Sequence, residues 1–364
     1  MMNPLSRVRS LGLLLAFGLT ASGCETSSSS QPRYPQQQQP PPGYYAGGQQ
    51  GYPQQGYPPQ QGYPPQGQPY PPQTAPQPTA APTTTAPLPP VAYDPINATD
   101  INFLRGRAQA DIQELIGALD SQKQSRVAGI PLVVDDRPGE VNAFASCTKD
   151  GKKMMAITDG LLNIEAHLAR AKATDEIFGG NKTDQYIQFL AKYQKPGAPI
   201  VEPAAGFFNP TQDTDGRKVA RQHEILDEQI AFVLGHELAH HYLGHLPCTA
   251  TGVGVTASEV NAVLSSVVPV FNQPNELAAD VNGTYNVLNA GKKRPGYHWT
   301  EGGGLLTMRF FAGLDQFSPV DVLFGFERSH PPPQIRTPVI QQAASQWRSS
   351  GGNPFTIPLP GFGL

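Results

Sequence analysis

Four of the eight histidines in this 364-residue chain lie within fourteen residues, FVLGHELAHHYLGH (232–245). Two of them, His236 and His240, are four positions apart, so on a helix their imidazoles share one face, one turn apart. Both rings can then reach a single Zn²⁺ at about 2.0–2.1 Å. Glu237 lies about 100° further round the helix, where its carboxylate can take a proton from a water activated by the zinc. The spacing predicts a catalytic metal site, and a structural pair of core histidines is the alternative.

A catalytic zinc takes three protein ligands and keeps one position open, so a third ligand must come from elsewhere in the chain. The segment NELAAD (275–280) offers Glu276 and Asp280, four positions apart on a predicted helix. Glu276 can be the third ligand, and Asp280 can accept a hydrogen bond from the other ring nitrogen of a ligand histidine. The alternative is a solvated acidic helix face. We expect one zinc ion per chain, bound by His236, His240 and Glu276.

The elements that hold these residues follow from the periodicity of the apolar side chains. A helix comes first, then a few strands, and then mostly helices, which predicts an α+β fold with a small sheet. Strands are predicted at 130–136, 140–147 and 153–160. Helices are predicted at 100–122, 218–245, 256–268, 274–291, 301–317 and 333–347, and one more helix begins near Asp159. Residues 180–216 show a mixed pattern that ends in a long irregular loop.

Several of these segments together resemble the HtpX and CAAX-prenyl-protease family of zinc endopeptidases. H-E-x-x-H followed by E-x-x-x-D on a later helix is the gluzincin pattern. The matching segments are VNAFA (141–145), ITDGLL (157–162), GHELAHHYLGH (235–245), ELAAD (276–280) and SHPPPQIR (329–336). The resemblance implies a mostly helical, zincin-like peptidase whose small sheet lines the cleft and holds an extended polypeptide along its edge strand.

The resemblance also implies roles for residues around the metal. It makes Glu237 the general base and places Asp280 beside the ligands. His330 would stabilise the oxyanion or cover the zinc in a resting state, with a simple turn residue as the alternative. Arg336 would pair with an acidic partner such as Asp280. The membrane helices of the integral members of the family are missing here, so prenylated or membrane-embedded substrates are not expected.

Two further histidines, His241 and His245, are also four apart. On a continuous helix they point away from the ligand face by roughly 100° or more. We therefore expect them to be surface or helix-end residues. The role of the long segment 163–216, which lies between ITDGLL and the H-E-x-x-H helix, is open, and a lid or wall over the cleft is one hypothesis.

The N-terminal residues indicate export. Residues 1–23 have two arginines, a short apolar run and small residues before Cys24, which is a secretory signal that resembles a bacterial lipobox. We expect cleavage before Cys24 and lipidation of that residue, with an ordinary secretory signal as the alternative. Glu25 follows the cysteine where Asp would favour inner-membrane retention, so the outer membrane is preferred over the inner membrane.

The domain boundaries follow from composition. Residues 24–95 are rich in Pro, Gln, Gly and Tyr and cannot bury enough apolar surface to fold, so we expect a disordered stalk, or else a segment that binds a partner. A metalloprotease domain is predicted at 96–350 and an extended tail at 351–364. The formal net charge of −3 gives no reason to expect a nucleic acid as a binding partner.

With Cys24 lipidated, Cys147 and Cys248 remain, and two leftover thiols outside the cytoplasm often pair. A disulfide between them is therefore a candidate.

The favoured function is an envelope-tethered, periplasm-facing zinc endopeptidase that cuts unfolded or misassembled proteins. The alternatives are a latent zinc-bearing chaperone or assembly factor, and a surface protein whose stalk is the functional part. The substrate and the oligomeric state remain open.

Overall fold

The computed structural model describes residues 90–266, 273–317, 324–325 and 330–353. The predicted signal segment, Cys24, nearly all of the stalk and most of the tail lie outside these residues. Within them, helices predominate and one three-stranded sheet is present. The predicted α+β class, mostly helical with a small sheet, is confirmed. None of the helices in the described ranges is both long enough and apolar enough to cross a membrane.

The described helices number ten and the strands three. The helices are α1 Ile101–Ala118, α2 Ser121–Val127, α3 Asp159–Phe178, α4 Lys182–Tyr193, α5 Pro210–Asp213, α6 Gly216–Leu243, α7 Ala257–Ser266, α8 Gln273–Lys293, α9 Gly302–Phe317 and α10 Pro333–Ser350. The strands are β1 Leu132–Asp135, β2 Ala143–Cys147 and β3 Lys153–Thr158.

The three strands form a mixed sheet in the order β1-β3-β2. β1 runs parallel to β3, and β2 runs antiparallel to β3, with Ala145 opposite Met155. The central strand, β3, is almost wholly buried and leads directly into α3, whose first turn is capped by the side chain of Thr158. β2 is therefore an edge strand among the described residues.

One element prediction was wrong because a side-chain cap was overlooked. The predicted helix 100–122 breaks after Ala118, since the side chain of Asp120 accepts a hydrogen bond from the Lys123 N–H and starts a new helix, α2. The loop predicted at the end of segment 180–216 contains the short helix α5, and the mixed stretch before that loop forms the twelve-residue helix α4. Its first N–H groups donate to the carboxylate of Asp175 from the end of α3, which satisfies donors that an isolated segment would leave open.

α6 is the central element of the fold. It packs against α1, α3, α8 and α9 and contacts β2 and β3 with its other side. Its buried residues occupy every face from Ile225 to Tyr242, as expected for a helix with neighbours on all sides. The side chain of Asp215 caps its start and Gly244 caps its end in a left-handed conformation. The H-E-x-x-H residues thus lie in the last buried turns of the helix at the centre of the core.

Candidate metal centre

Two glycines bring the helices of the site together. Gly235 on α6 and Gly283 on α8 lie at the crossing of the two helices. A Cβ atom on Gly283 would lie 2.9 Å from the backbone nitrogen of His236, closer than side-chain carbons approach in proteins. Because neither glycine carries a side chain, the two backbones approach closely and Glu276 on α8 reaches the histidines on α6. Sequence reasoning missed this pair, since a glycine inside a helix has many possible causes.

Three groups that could bind a metal face one another beside this crossing. The Nε2 atoms of His236 and His240 lie 3.2 Å apart. The carboxylate of Glu276 lies 3.2 Å from the first of these nitrogens and 3.5 Å from the second. Ligands at about 2.0–2.1 Å from a tetrahedral zinc ion are roughly 3.3–3.4 Å from one another. The spacing of the three predicted ligands therefore fits one zinc ion.

Glu237 faces the same space from the side of the sheet. Its Oε2 accepts a hydrogen bond of 2.8 Å from the backbone N–H of Ala145 in the edge strand β2. Its Oε1 lies 3.3 Å from Nε2 of His330 and 4.0 Å from Nε2 of His236. The edge strand therefore holds one oxygen of this carboxylate, while the other oxygen faces the cluster. The contribution of the Ala145 N–H could not be foreseen, because a backbone donor leaves no mark in the sequence.

His330 belongs to the same cluster. One ligand atom each from His236, Glu276 and His330 lie within 4.8 Å of one another. Nε2 of His330 is 3.8 Å from the Glu276 carboxylate, and its ring centroid is 5.2 Å from that of His236. The structure thus places His330 where it can contact either the metal or a group bound to the metal.

A buried ion pair holds His236 in place. The Nδ1 atom of His236 is 2.9 Å from Oδ1 of Asp280, which also accepts a hydrogen bond of 2.6 Å from Nη2 of Arg336. Both partners are almost completely buried. Because a neutral imidazole carries one proton, an Nδ1–H bonded to Asp280 leaves Nε2 with a lone pair for a metal. The predicted neighbours of the ligands, Asp280 and Arg336, are both found here.

The electrostatics of the site favour a cation between the carboxylates. Burial and the charge of Arg336 lower the pKa of His236, but hydrogen bonds to Asp280 and Glu276 outweigh them and raise it to about 9. Burial, and then the charge of His236, lower the pKa of His240 to about 4. Burial raises the pKa of Glu237, but the hydrogen bond from His330 and the nearby histidines outweigh it, so the net shift is downward. Glu237 is therefore a carboxylate that can accept a proton.

The two remaining histidines of the motif lie at the end of α6, which is one of the two predicted placements, and both are at least partly buried. His241 is 2% exposed, and its Nε2 is 2.9 Å from the carbonyl oxygen of Met154 in β3. His245 is half-buried, and its Nδ1 is 3.1 Å from Nδ1 of the candidate ligand His240. The predicted orientation of His245, away from the ligand face, was wrong because it assumed a continuous helix, whereas α6 ends at Leu243.

The two cysteines of the domain are joined. Cys147 ends β2 and Cys248 follows α6, and the structure contains a disulfide between them. The disulfide fastens the edge strand that carries Ala145 to the segment after the H-E-x-x-H helix. The site is thus braced on the side of the sheet by a covalent link.

Comparison with known proteins agrees with this geometry. A model of peptidase family M48 matches residues 105–342, and the chain belongs to this family. The matched range includes every residue of the cluster described above, and the resemblance noted in the sequence is confirmed. No curated protein and no solved structure matches the chain. Family membership implies a zinc metallopeptidase, a hydrolase of peptide bonds that acts on polypeptides.

Proposed function

We propose that the protein is a zinc-dependent endopeptidase tethered to the bacterial envelope, where it hydrolyses peptide bonds of unfolded or misassembled envelope proteins. One observation carries the catalytic part of the proposal: three groups with the spacing of zinc ligands lie beside a carboxylate held by an edge strand. Zn²⁺ bound by His236, His240 and Glu276 would supply a Lewis acid that activates water and polarises the carbonyl of the peptide bond.

The protein groups have separate tasks in this reaction. Glu237 takes the proton of the attacking water, because its carboxylate is ionised and one oxygen faces the ligands. His330 donates a hydrogen bond to the oxyanion that forms as the carbonyl is attacked. β2, paired on one side with β3, offers its other edge to an extended substrate by strand addition. Extended binding of this kind suits segments of unfolded chains.

The envelope part of the proposal is supported by the sequence alone. The signal segment, Cys24 and the polar residues after it have the pattern of a lipid-anchored protein, and the preferred site is the periplasmic face of the outer membrane. Residues 24–95 then act as a stalk between the anchor and the metalloprotease domain. Metabolic labelling with a palmitate analogue tests this arrangement: wild type incorporates the label and Cys24→Ser does not. Labelling of both proteins, or of neither, contradicts the anchor.

The catalytic proposal is tested by comparing wild type with Glu237→Gln, which is isosteric and leaves the three ligands in place. Zinc content and cleavage of casein are measured on both purified proteins. We expect one zinc per chain in both proteins and cleavage by wild type only. Absence of zinc in the wild type contradicts the metal site, and equal cleavage by both proteins contradicts the role of Glu237.

A second candidate is a latent zinc-bearing chaperone or assembly factor. It is favoured by one observation, the position of His330 3.3 Å from the general base and 3.8 Å from the ligand Glu276. A histidine bound to the metal there would take the place of the substrate. His330→Ala separates the two candidates: cleavage rises if His330 covers the metal, and it falls about 10²–10³-fold if His330 stabilises the oxyanion.

A further inference from the structure

We propose that His245 is a positioning residue that holds the candidate ligand His240 in the orientation and tautomer that zinc binding needs. The inference rests on the proposed zinc site. Nδ1 of His245 lies 3.1 Å from Nδ1 of His240. The two rings meet edge to face, with centroids 5.1 Å apart and planes at 73°. His245 thus contacts the nitrogen of His240 that is opposite to the metal-facing Nε2.

The backbone creates this contact by a specific helix ending. Gly244 adopts φ 78° and ψ 28°, in the left-handed region. The N–H of His245 donates to the carbonyl of His240 at 2.9 Å, and the N–H of Gly244 donates to the carbonyl of His241 at 3.3 Å. These two bonds define a Schellman motif, in which the residue after the glycine folds back onto the residue five positions earlier. The glycine therefore returns His245 to the side chain of His240.

The protonation of His240 makes this contact useful. Its Nε2 faces the Nε2 of His236 and the carboxylate of Glu276, so it must carry a lone pair to bind a metal. A neutral imidazole then bears its proton on Nδ1, and a buried N–H needs an acceptor. The Nδ1 atom of His245 is that acceptor, with its own proton on Nε2. Within the described residues, Nδ1 of His240 has no carboxylate partner comparable to the Asp280 at Nδ1 of His236.

The two ligand histidines are therefore held by different partners. His236 is held by a buried carboxylate and an arginine, and His240 by a second imidazole at a helix end. Loss of the partner of a metal-bound histidine typically reduces metal affinity 10–100-fold. We expect a reduction of this size when His245 loses its acceptor nitrogen, with the fold unchanged.

The test compares His245→Phe, which keeps a ring but has no acceptor, with His245→Asn, whose side-chain oxygen can accept the Nδ1–H of His240. His223→Ala is the matched control, since His223 is also half-buried and its Nε2 bonds Asp94 away from the metal site. Zinc affinity is measured on the full-length proteins by competition with a chromophoric chelator, and the coordination by the visible absorption of bound Co²⁺. The melting temperature of the metal-free proteins is measured alongside.

We expect zinc affinity 10–100-fold lower and an altered Co²⁺ spectrum for His245→Phe. We expect recovery of most of the affinity in His245→Asn, and wild-type zinc affinity and Co²⁺ spectrum in His223→Ala. Wild-type affinity in His245→Phe overturns the inference and leaves the proposed function intact. Equal losses in the Phe and Asn variants, in step with their melting temperatures, also overturn it, because they indicate a structural role. Absence of zinc binding in wild type overturns both the inference and the proposed function.

Discussion

The disulfide between Cys147 and Cys248 allows a prediction about stability that can be worked from the structure. The two residues are 101 positions apart, so the bond closes a long loop in the unfolded chain. In the chain-entropy model, a disulfide that closes a loop of roughly 100 residues stabilises the folded state by about 4.7 kcal/mol. The stabilisation measured for disulfides is typically about 2–4 kcal/mol. We expect Cys147→Ser/Cys248→Ser to lower the free energy of unfolding by about 2–4 kcal/mol.

Other contacts keep the joined segments together in the folded state, so the substitution acts mainly on the unfolded chain. Backbone N–H groups of Thr249 and Ala250 donate to the carbonyl of Gly151, each at 3.0 Å. These hydrogen bonds survive when the sulfur atoms are removed. The edge strand β2 would therefore stay in place but fluctuate more, and with it the Ala145 N–H that orients Glu237.

The assay is urea unfolding followed by circular dichroism in excess chelator, for wild type with and without reductant and for the double serine variant. A lower urea midpoint is expected for the variant and for reduced wild type, with zinc affinity unchanged and a reduced kcat. The reasoning is refuted if the three midpoints coincide, or if reductant lowers the midpoint of the variant as well.

Three further predictions concern buried groups. Glu165 is buried without a hydrogen-bond partner in the described part of the chain, and burial raises its pKa from 4.5 to about 8. Since the folded state then binds this proton more tightly than the unfolded state, stability falls as the pH rises from about 4.5 to about 8. Glu165→Gln should raise the free energy of unfolding by on the order of 4 kcal/mol at pH 8 and by little at pH 4.5. Urea unfolding at both pH values measures this difference, and equal gains at the two pH values would contradict the raised pKa. Asp280→Asn leaves Arg336 buried beside a neutral group, so the free energy of unfolding should fall by about 3–5 kcal/mol, as measured by urea unfolding. The same variant should bind zinc 10–100-fold more weakly, as measured by chelator competition. Gly283→Ala should lower both the free energy of unfolding and the zinc affinity, because its Cβ atom crowds the α6–α8 crossing. Gly106→Ala has open space around its Cβ position and should stabilise α1 by about 0.5–1 kcal/mol. Equal effects of the two variants would contradict the packing argument.

The parts of the site that lie within one element could be read from the sequence. The spacing of His236 and His240 depends only on the pitch of a helix, so their shared face and the offset of Glu237 follow from local geometry. The same holds for Glu276 and Asp280 on α8. The apolar periodicity located the long helices and all three strands to within a few residues, because burial of one face or of a whole segment leaves a regular pattern.

Contacts between elements were decided by the tertiary structure. The hydrogen bond from Ala145 to Glu237 and the pairing of Asp280 with Arg336 join elements far apart in the chain, and their distances depend on how the helices and the sheet pack. The resemblance to a family suggested some of these neighbours, but spacing along the chain could not place them. The close approach of α6 and α8 at Gly283 likewise exists only in three dimensions.

His245 shows how the two sources of information differ. Its position in the sequence, extrapolated along a helix, pointed it away from the ligands. The left-handed conformation at Gly244 ends the helix at Leu243, two residues before His245, and turns the side chain of His245 back onto His240. The sequence determined the types of the ligand residues and their spacing on each helix, because those depend on local geometry. The tertiary structure determined which backbone donors, glycines and neighbouring histidines complete the site, because those depend on packing between elements.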